Sequence, residues 1–111
     1  MKETRKPFFY DVTLRDGNQA LPKPWNNAQK EDVFLQLLKL GVQGVEVGFA
    51  AASEMDFESC KGIAKLTARM AEEGDEAASK VVVASLARCN PADIQRAWEA
   101  IQYAPHPRIH T

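Results

Sequence analysis

Short apolar runs alternate with amphipathic stretches along the chain. Phe8-Phe9-Tyr10-Asp11-Val12-Thr13-Leu14 is aromatic and β-branched and predicts a strand. A polar stretch follows, broken by Gly17, Pro22 and Pro24. Asn26 and Gln29 are spaced as a capping box for a helix whose apolar face is Val33, Phe34, Leu37 and Leu38. Gly41 is placed to end that helix in the left-handed conformation. A second round begins at once. Residues 42–47 are short and β-branched and predict a strand closed by Gly48. Ser53-Glu54-Met55-Asp56 then opens a helix with Phe57, Cys60, Ile63, Ala64, Thr67 and Met70 on one face. Glu72-Glu73-Gly74-Asp75-Glu76 reads as a solvated helix end and turn. Lys80-Val81-Val82-Val83-Ala84-Ser85-Leu86 predicts a third strand. Asn90-Pro91 starts a helix with proline at its first position, carrying the stripe Ile94, Ala97, Trp98 and Ile101. After Pro105 and Pro107, Arg108-Ile109-His110-Thr111 begins a fourth strand.

The order is β-α-β-α-β-α-β, which argues an α/β fold with a parallel sheet and right-handed crossovers. Predicted strands begin near 8, 43, 80 and 108, so the repeats run about 35, 37 and 28 residues, against about 31 per unit in a (β/α)8 barrel of roughly 250 residues. A small doubly-wound sheet uses the same unit, and periodicity alone leaves both architectures open. An open domain would close with a strand and a covering helix. The sequence instead stops inside a strand, which favours the N-terminal half of a (β/α)8 TIM barrel, with residues 1–111 ending in the fourth strand.

Composition narrows the function classes. The chain has 111 residues, room for one domain, and its 45% hydrophobic and 26% charged residues are ordinary for a globular one. Fourteen basic against fifteen acidic residues give a net charge of -1, so neither nucleic acid nor an anionic membrane has an electrostatic footprint to bind. No apolar run approaches the roughly 20 residues of a membrane helix. Met1-Lys2-Glu3-Thr4-Arg5-Lys6-Pro7 lacks the apolar core of a signal peptide. Cys60 and Cys89 stand alone, which points to a reducing, cytoplasmic setting.

In both architectures ligands bind beyond the carboxyl ends of the strands. That singles out Arg15, Asp16, Gln19, Glu46, Leu86 and His110. Arg15-Asp16-Gly17 follows the first strand directly, where a carboxylate and a guanidinium can serve a hard cation and a developing oxyanion. Asp-Gly is also ordinary turn chemistry, and Arg15 could serve only as an ion-pair partner. Glu46 interrupts an apolar strand, and a carboxylate there requires a polar interior or a cationic partner. His106, four residues before His110, reads as a solvated loop residue. Neither a glycine-rich nucleotide motif nor a Gly-x-Ser-x-Gly elbow is present.

Asp11-Val12-Thr13-Leu14-Arg15-Asp16-Gly17-Asn18-Gln19-Ala20-Leu21 closely resembles the first barrel strand and loop of 2-isopropylmalate synthases. Leu40-Gly41-Val42 with Val45-Glu46-Val47-Gly48-Phe49, Ala51-Ala52-Ser53 and Asp56-Phe57 resembles their second strand and helix start. Ser85-Leu86-Ala87-Arg88 and Pro107-Arg108-Ile109-His110 resemble the next two strand ends. Ala50 departs from the pattern, standing where the family usually has proline. The resemblance implies a metal-dependent TIM barrel that condenses acetyl-CoA with a 2-oxo acid in a Claisen-type reaction. The acid it implies is 2-oxoisovalerate, giving 2-isopropylmalate in leucine biosynthesis. It implies Asp16 as a ligand of a divalent Mg2+, Mn2+ or Zn2+ ion, with the remaining ligands, including a His-x-His pair, beyond Thr111. It casts Arg15 as the partner of the developing alkoxide, Gln19 as a hydrogen-bonding neighbour of Arg15 and substrate, and Glu46 as orienting that cluster or relaying a proton. Leu86 would line the pocket for the acid's side chain and His110 would touch the substrate. A homodimer is implied at full length and no activity for this segment alone. Homocitrate and citramalate synthases share the pattern. The alternative is a non-catalytic half-barrel that pairs its edge strands with another chain.

Overall fold

The computed structural model describes residues 9–17, 23 and 25–111, without the side chain of Asp16. Four strands, β1 (Tyr10–Asp11), β2 (Gly44–Gly48), β3 (Val82–Leu86) and β4 (His106–His110), form one sheet in the order β1-β2-β3-β4, every pair parallel. The helices are α1 (Asn27–Leu40), α2 (Glu54–Glu72), α3 (Glu76–Lys80) and α4 (Pro91–Ile101). A doubly-wound sheet reverses its strand order at a switch point and carries helices on both faces. Here the order is sequential, and α2 touches α1, α3 and α4 as well as β2, so the helices make one layer on one face. That is the arrangement of a barrel wall, and it decides between the two architectures the sequence left open.

Local chemistry explains most of the elements. The Asn26 side chain accepts from Gln29 N–H at 2.8 Å while the Gln29 side chain accepts from Asn26 N–H at 2.9 Å, completing the capping box of α1. Gly41 ends α1 at φ 84, a conformation that costs other residues about 1 kcal/mol or more. Ser53 and Asn90 cap α2 and α4 through the N–H groups of Asp56 and Asp93.

Three elements differ from expectation. The first strand is only Tyr10–Asp11. The Asp11 carboxylate accepts from Thr13 N–H at 2.8 Å, and Val12 O accepts from both Arg15 and Gly17 N–H, so residues 13–17 close into a π-helical turn instead of continuing the strand. Residues 76–80 form α3, capped by Asp75 and braced by Lys80 on Glu76 at 2.6 Å, so β3 begins at Val82, two residues later than predicted. His106 is the first residue of β4, exposed there rather than in a loop.

The core lies between the sheet and the helix layer. It joins Phe34, Leu37 and Leu38 of α1, Phe57, Cys60, Ile63 and Ala64 of α2, Val45, Val47 and Val83 of the sheet, and Ala100 and Ile101 of α4. Half the predicted stripe of α4 is elsewhere: Ala97 and Ile101 are buried, whereas Ile94 and Trp98 are exposed. Among the described residues no helix is long and apolar enough to cross a membrane.

Two packing details give testable outcomes. A Cβ on Gly48 would meet Cys60 Sγ at 2.8 Å, closer than real contacts allow. Gly48→Ala is expected to cost about 1–3 kcal/mol in urea unfolding, from overpacking. Adding Cys60→Ala should recover much of it, and an unchanged midpoint for Gly48→Ala would show that the contact relaxes freely. Cys60 has no exposed surface, and burial pushes its thiol up to about 12, while Cys89 is exposed. Iodoacetamide labelling of the folded protein followed by peptide mapping should modify Cys89 and spare Cys60 until denaturant is added. Equal labelling of both would contradict this packing.

Candidate functional site

Parallel register fixes which side chains share the face opposite the helices. Tyr10 is paired with Gly44, two residues before Glu46. Glu46 is paired with Ala84 and Ala84 with Arg108, while Leu86 is paired with His110. Tyr10, Glu46, Leu86, Arg108 and His110 therefore line one face, with Glu46 at its centre. The register slips between Glu46 and Gly48, so Val47 is an extra residue in β2. Such a bulge bends a strand and re-aims its side chains.

Glu46 has no exposed surface, and both of its oxygens are occupied. Oε1 accepts from Arg15 Nε at 2.5 Å. Oε2 accepts from the Tyr10 hydroxyl at 2.6 Å and lies 2.7 Å from His110 Nδ1. The Tyr10 and His110 rings meet edge to face, with centroids 6.2 Å apart. The π-helical turn delivers Arg15 to this cluster, and the buried side chain of Leu14 anchors the turn. Burial pushes the Glu46 carboxyl up, but the hydrogen bonds from Tyr10, His110 and Arg15, with the Arg15 charge, outweigh it and hold the group below the usual carboxylate range. The Tyr10 hydroxyl is pushed well above its ordinary value by burial and by its bond to the ionised Glu46. The result is an ionised carboxylate that accepts from Arg15 and Tyr10 and lies in hydrogen-bond contact with His110, on the sheet face opposite the helices.

Of the residues singled out in the sequence, Arg15, Glu46 and His110 come together. Leu86 sits beside His110 in register, at the end of β3. The backbone of Asp16 follows Arg15 in the turn, while its side chain and the whole of Gln19 lie outside the described residues. Among the described residues no group of three or more His, Cys, Asp or Glu side chains is arranged to hold a metal ion.

The profile of the HMGL-like family matches residues 6–111. The chain belongs to the HMGL-like family. It is 53% identical over 104 residues to "2-isopropylmalate synthase 2" of Leptospira interrogans serogroup Icterohaemorrhagiae serovar Lai, covering 94% of this chain and 22% of that protein. It is 45% identical over 103 residues to the chloroplastic 2-isopropylmalate synthase 2 of Arabidopsis thaliana, covering 93% of this chain and 16% of that protein. It is also 44% identical over 100 residues to the chloroplastic methylthioalkylmalate synthase 1-1 of Eutrema japonicum, covering 90% and 19%. This HMGL-like chain therefore spans about a fifth of the length of the curated relatives it matches, and corresponds to the N-terminal part of the barrel in fold.

Sequence reasoning missed Tyr10 and Ser85. Tyr10 was legible only as one aromatic in a predicted strand. Its face was set by a register that no pattern reveals. Ser85 is fully buried, its hydroxyl accepting from Ala50 N–H and donating toward Gly48 O, each at 3.2 Å. It ties the end of β3 to the loop after β2. The departure at Ala50 has a physical counterpart here, because proline has no N–H to make that bond.

Proposed function

We propose that residues 1–111 are the N-terminal part of the catalytic barrel of an acyl-CoA-dependent synthase condensing acetyl-CoA with a 2-oxo acid, 2-oxoisovalerate to 2-isopropylmalate. The observation that carries this reading is the buried Glu46 carboxylate clamped by Arg15, Tyr10 and His110 on the open face of a parallel sheet. It is supported by the names of the relatives.

The chemistry asks for a fixed positive group at a carbonyl oxygen. As the acetyl methyl carbon, having lost a proton to a base, bonds to the 2-oxo carbon, the electron pair of the C=O bond moves onto oxygen and makes an alkoxide. Protonation of that oxygen gives the hydroxyl, and water cleaves the thioester to the carboxylate and free CoA thiol. Arg15 is the group this reading places at that oxygen. Its Nε is held by Glu46, so its charge is positioned before the reaction and needs no reorganisation during it. Glu46 orients Arg15 and His110 together, His110 contacts the acid, and Leu86 bounds its side chain. A change of one methylene against such a wall is worth about 1–3 kcal/mol, enough to separate related acids. Gln19 completes the polar lining.

HMGL-like proteins generally use a divalent metal. In this chain both Glu46 oxygens are taken up by Arg15, Tyr10 and His110 and the described residues form no metal cluster, so the reading assigns the ion to Asp16 and to ligands outside this segment. Such an ion would polarise the same carbonyl as a Lewis acid. The reading further takes the full-length protein as a homodimer in a reducing compartment, in keeping with two unpaired cysteines.

The test is a panel of 2-oxo acids offered with acetyl-CoA to the full-length protein, with released CoA thiol followed in each. The reading expects 2-oxoisovalerate to give the highest kcat/KM. Preference for pyruvate or 2-oxoglutarate would move the assignment to a citramalate or homocitrate synthase.

A further inference from the structure

The two donors Arg15 and Tyr10 on Glu46 fix the proton positions of the whole cluster, and with them the polarity that His110 shows a ligand. The Arg15 guanidinium carries N–H donors and no acceptor, so it can only donate to Oε1. Tyr10 keeps its proton and donates to Oε2. Glu46 is ionised, so it can only accept. At 2.7 Å from Oε2, His110 Nδ1 must then be the nitrogen that carries hydrogen, since two acceptors would face each other otherwise. A neutral imidazole protonated on Nδ1 has its lone pair on Nε2, on the far side of the ring from Glu46. The His110 side chain is 49% exposed, so that far side is open. Among the described residues, the charged or titratable groups facing it are Tyr10 from β1, Arg15 from the turn, Glu46 from β2 and Arg108 on its own strand. β3 contributes Ala84 and Leu86, which have none.

We propose that Glu46 is a positioning residue that holds His110 in the form protonated on Nδ1, so that Nε2 accepts a hydrogen bond and selects a ligand hydroxyl there. The ligand half of this proposal rests on the function proposed above, in which the ketone oxygen of the acid becomes a tertiary hydroxyl. The tautomer half stands on the geometry of this chain. The replacement Glu46→Gln makes the logic sharp. Its amide has one oxygen, which the obligate donor Arg15 claims, and its NH2 then faces Tyr10 and His110. Nδ1 must become the acceptor and Nε2 the proton carrier, which reverses the polarity of the outer nitrogen.

The experiment uses the full-length protein labelled with 15N-histidine, with the His110 signals assigned by difference from His110→Gln. Two-bond 15N–1H spectra are recorded near pH 8.5, about two units above the ordinary imidazole value. The expected result is the Nδ1–H pattern in wild type and in Tyr10→Phe, which keeps the ionised carboxylate, and the Nε2–H pattern in Glu46→Gln. An Nε2–H pattern in wild type would overturn the proposal, and wild type needs no variant to fold. In parallel, a 2-hydroxy-2-alkyl diacid and the same diacid lacking the hydroxyl are compared by calorimetry. Wild type should bind the hydroxy compound about tenfold more tightly, from one hydrogen bond. Equal affinities in wild type would overturn the ligand half. If neither diacid binds and no 2-oxo acid is condensed, the proposed function fails, while the ligand-free spectrum still decides the tautomer.

Discussion

Arg15→Ala is expected to lower kcat of the full-length protein by about 10²–10³, the usual loss when one preorganised oxyanion donor is removed. The reason is geometric. Arg15 sits in a π-helical turn whose N–H groups close back on Val12, its Nε is pinned by a fully buried carboxylate, and its side chain is only 19% exposed. A donor fixed this way is worth most in the transition state, so KM for the acid should change less than kcat. Arg15→Lys should recover little, because an ammonium cannot hold Glu46 with one N–H and present others in the same plane. Steady-state kinetics of the three proteins check this. A loss confined to KM would make Arg15 a binding residue that does not act on the developing charge.

Glu46→Ala is expected to destabilise the fold by about 3 kcal/mol, the scale of removing one partner from a buried ion pair. The low end of that scale applies because Arg15 and His110 reach solvent. The Tyr10 hydroxyl and the Arg15 guanidinium would each lose an acceptor whose own side chain has no exposed surface. The pH dependence has a defined sign. The carboxyl of Glu46 is held below its ordinary value in the folded chain, so its contribution is fully present above the unfolded value of about 4.3 and is lost as pH falls through the lower folded value. Urea unfolding of wild type and Glu46→Ala across pH 7 to about 3 should show a constant gap that narrows only below about pH 4.3. A gap that narrows already near neutral pH would mean that Glu46 is not the ionised centre of the cluster.

Much of this fold was legible because helix ends are local events. The capping box at Asn26 and Gln29, the left-handed Gly41 and the proline start of α4 each depend on a few adjacent residues, and each stands as read. The strand at Tyr10 was overextended because aromatic and β-branched content was visible, whereas the Asp11 carboxylate catching Thr13 N–H is a three-dimensional event. α3 was missed because five residues of Glu-Ala-Ala-Ser-Lys carry no apolar stripe, although Asp75 before them was a cap in plain view. Strand order lies beyond any periodicity, since barrel and doubly-wound sheets repeat the same unit. In the site, Glu46 betrayed itself as a charge inside an apolar strand. Tyr10 and Ser85 did not, because a tyrosine and a serine near strand ends look ordinary until register places them.

The most direct measurement is product formation by the full-length protein given acetyl-CoA and 2-oxoisovalerate, read by mass spectrometry, with an incubation lacking the oxo acid as control. The account predicts a product whose composition equals the oxo acid plus the acetyl unit and one water, formed with one free CoA thiol per product and formed about 10²–10³ more slowly in Arg15→Ala. Free CoA at the same rate with and without the oxo acid, and no condensed product with this or any other 2-oxo acid, would contradict it.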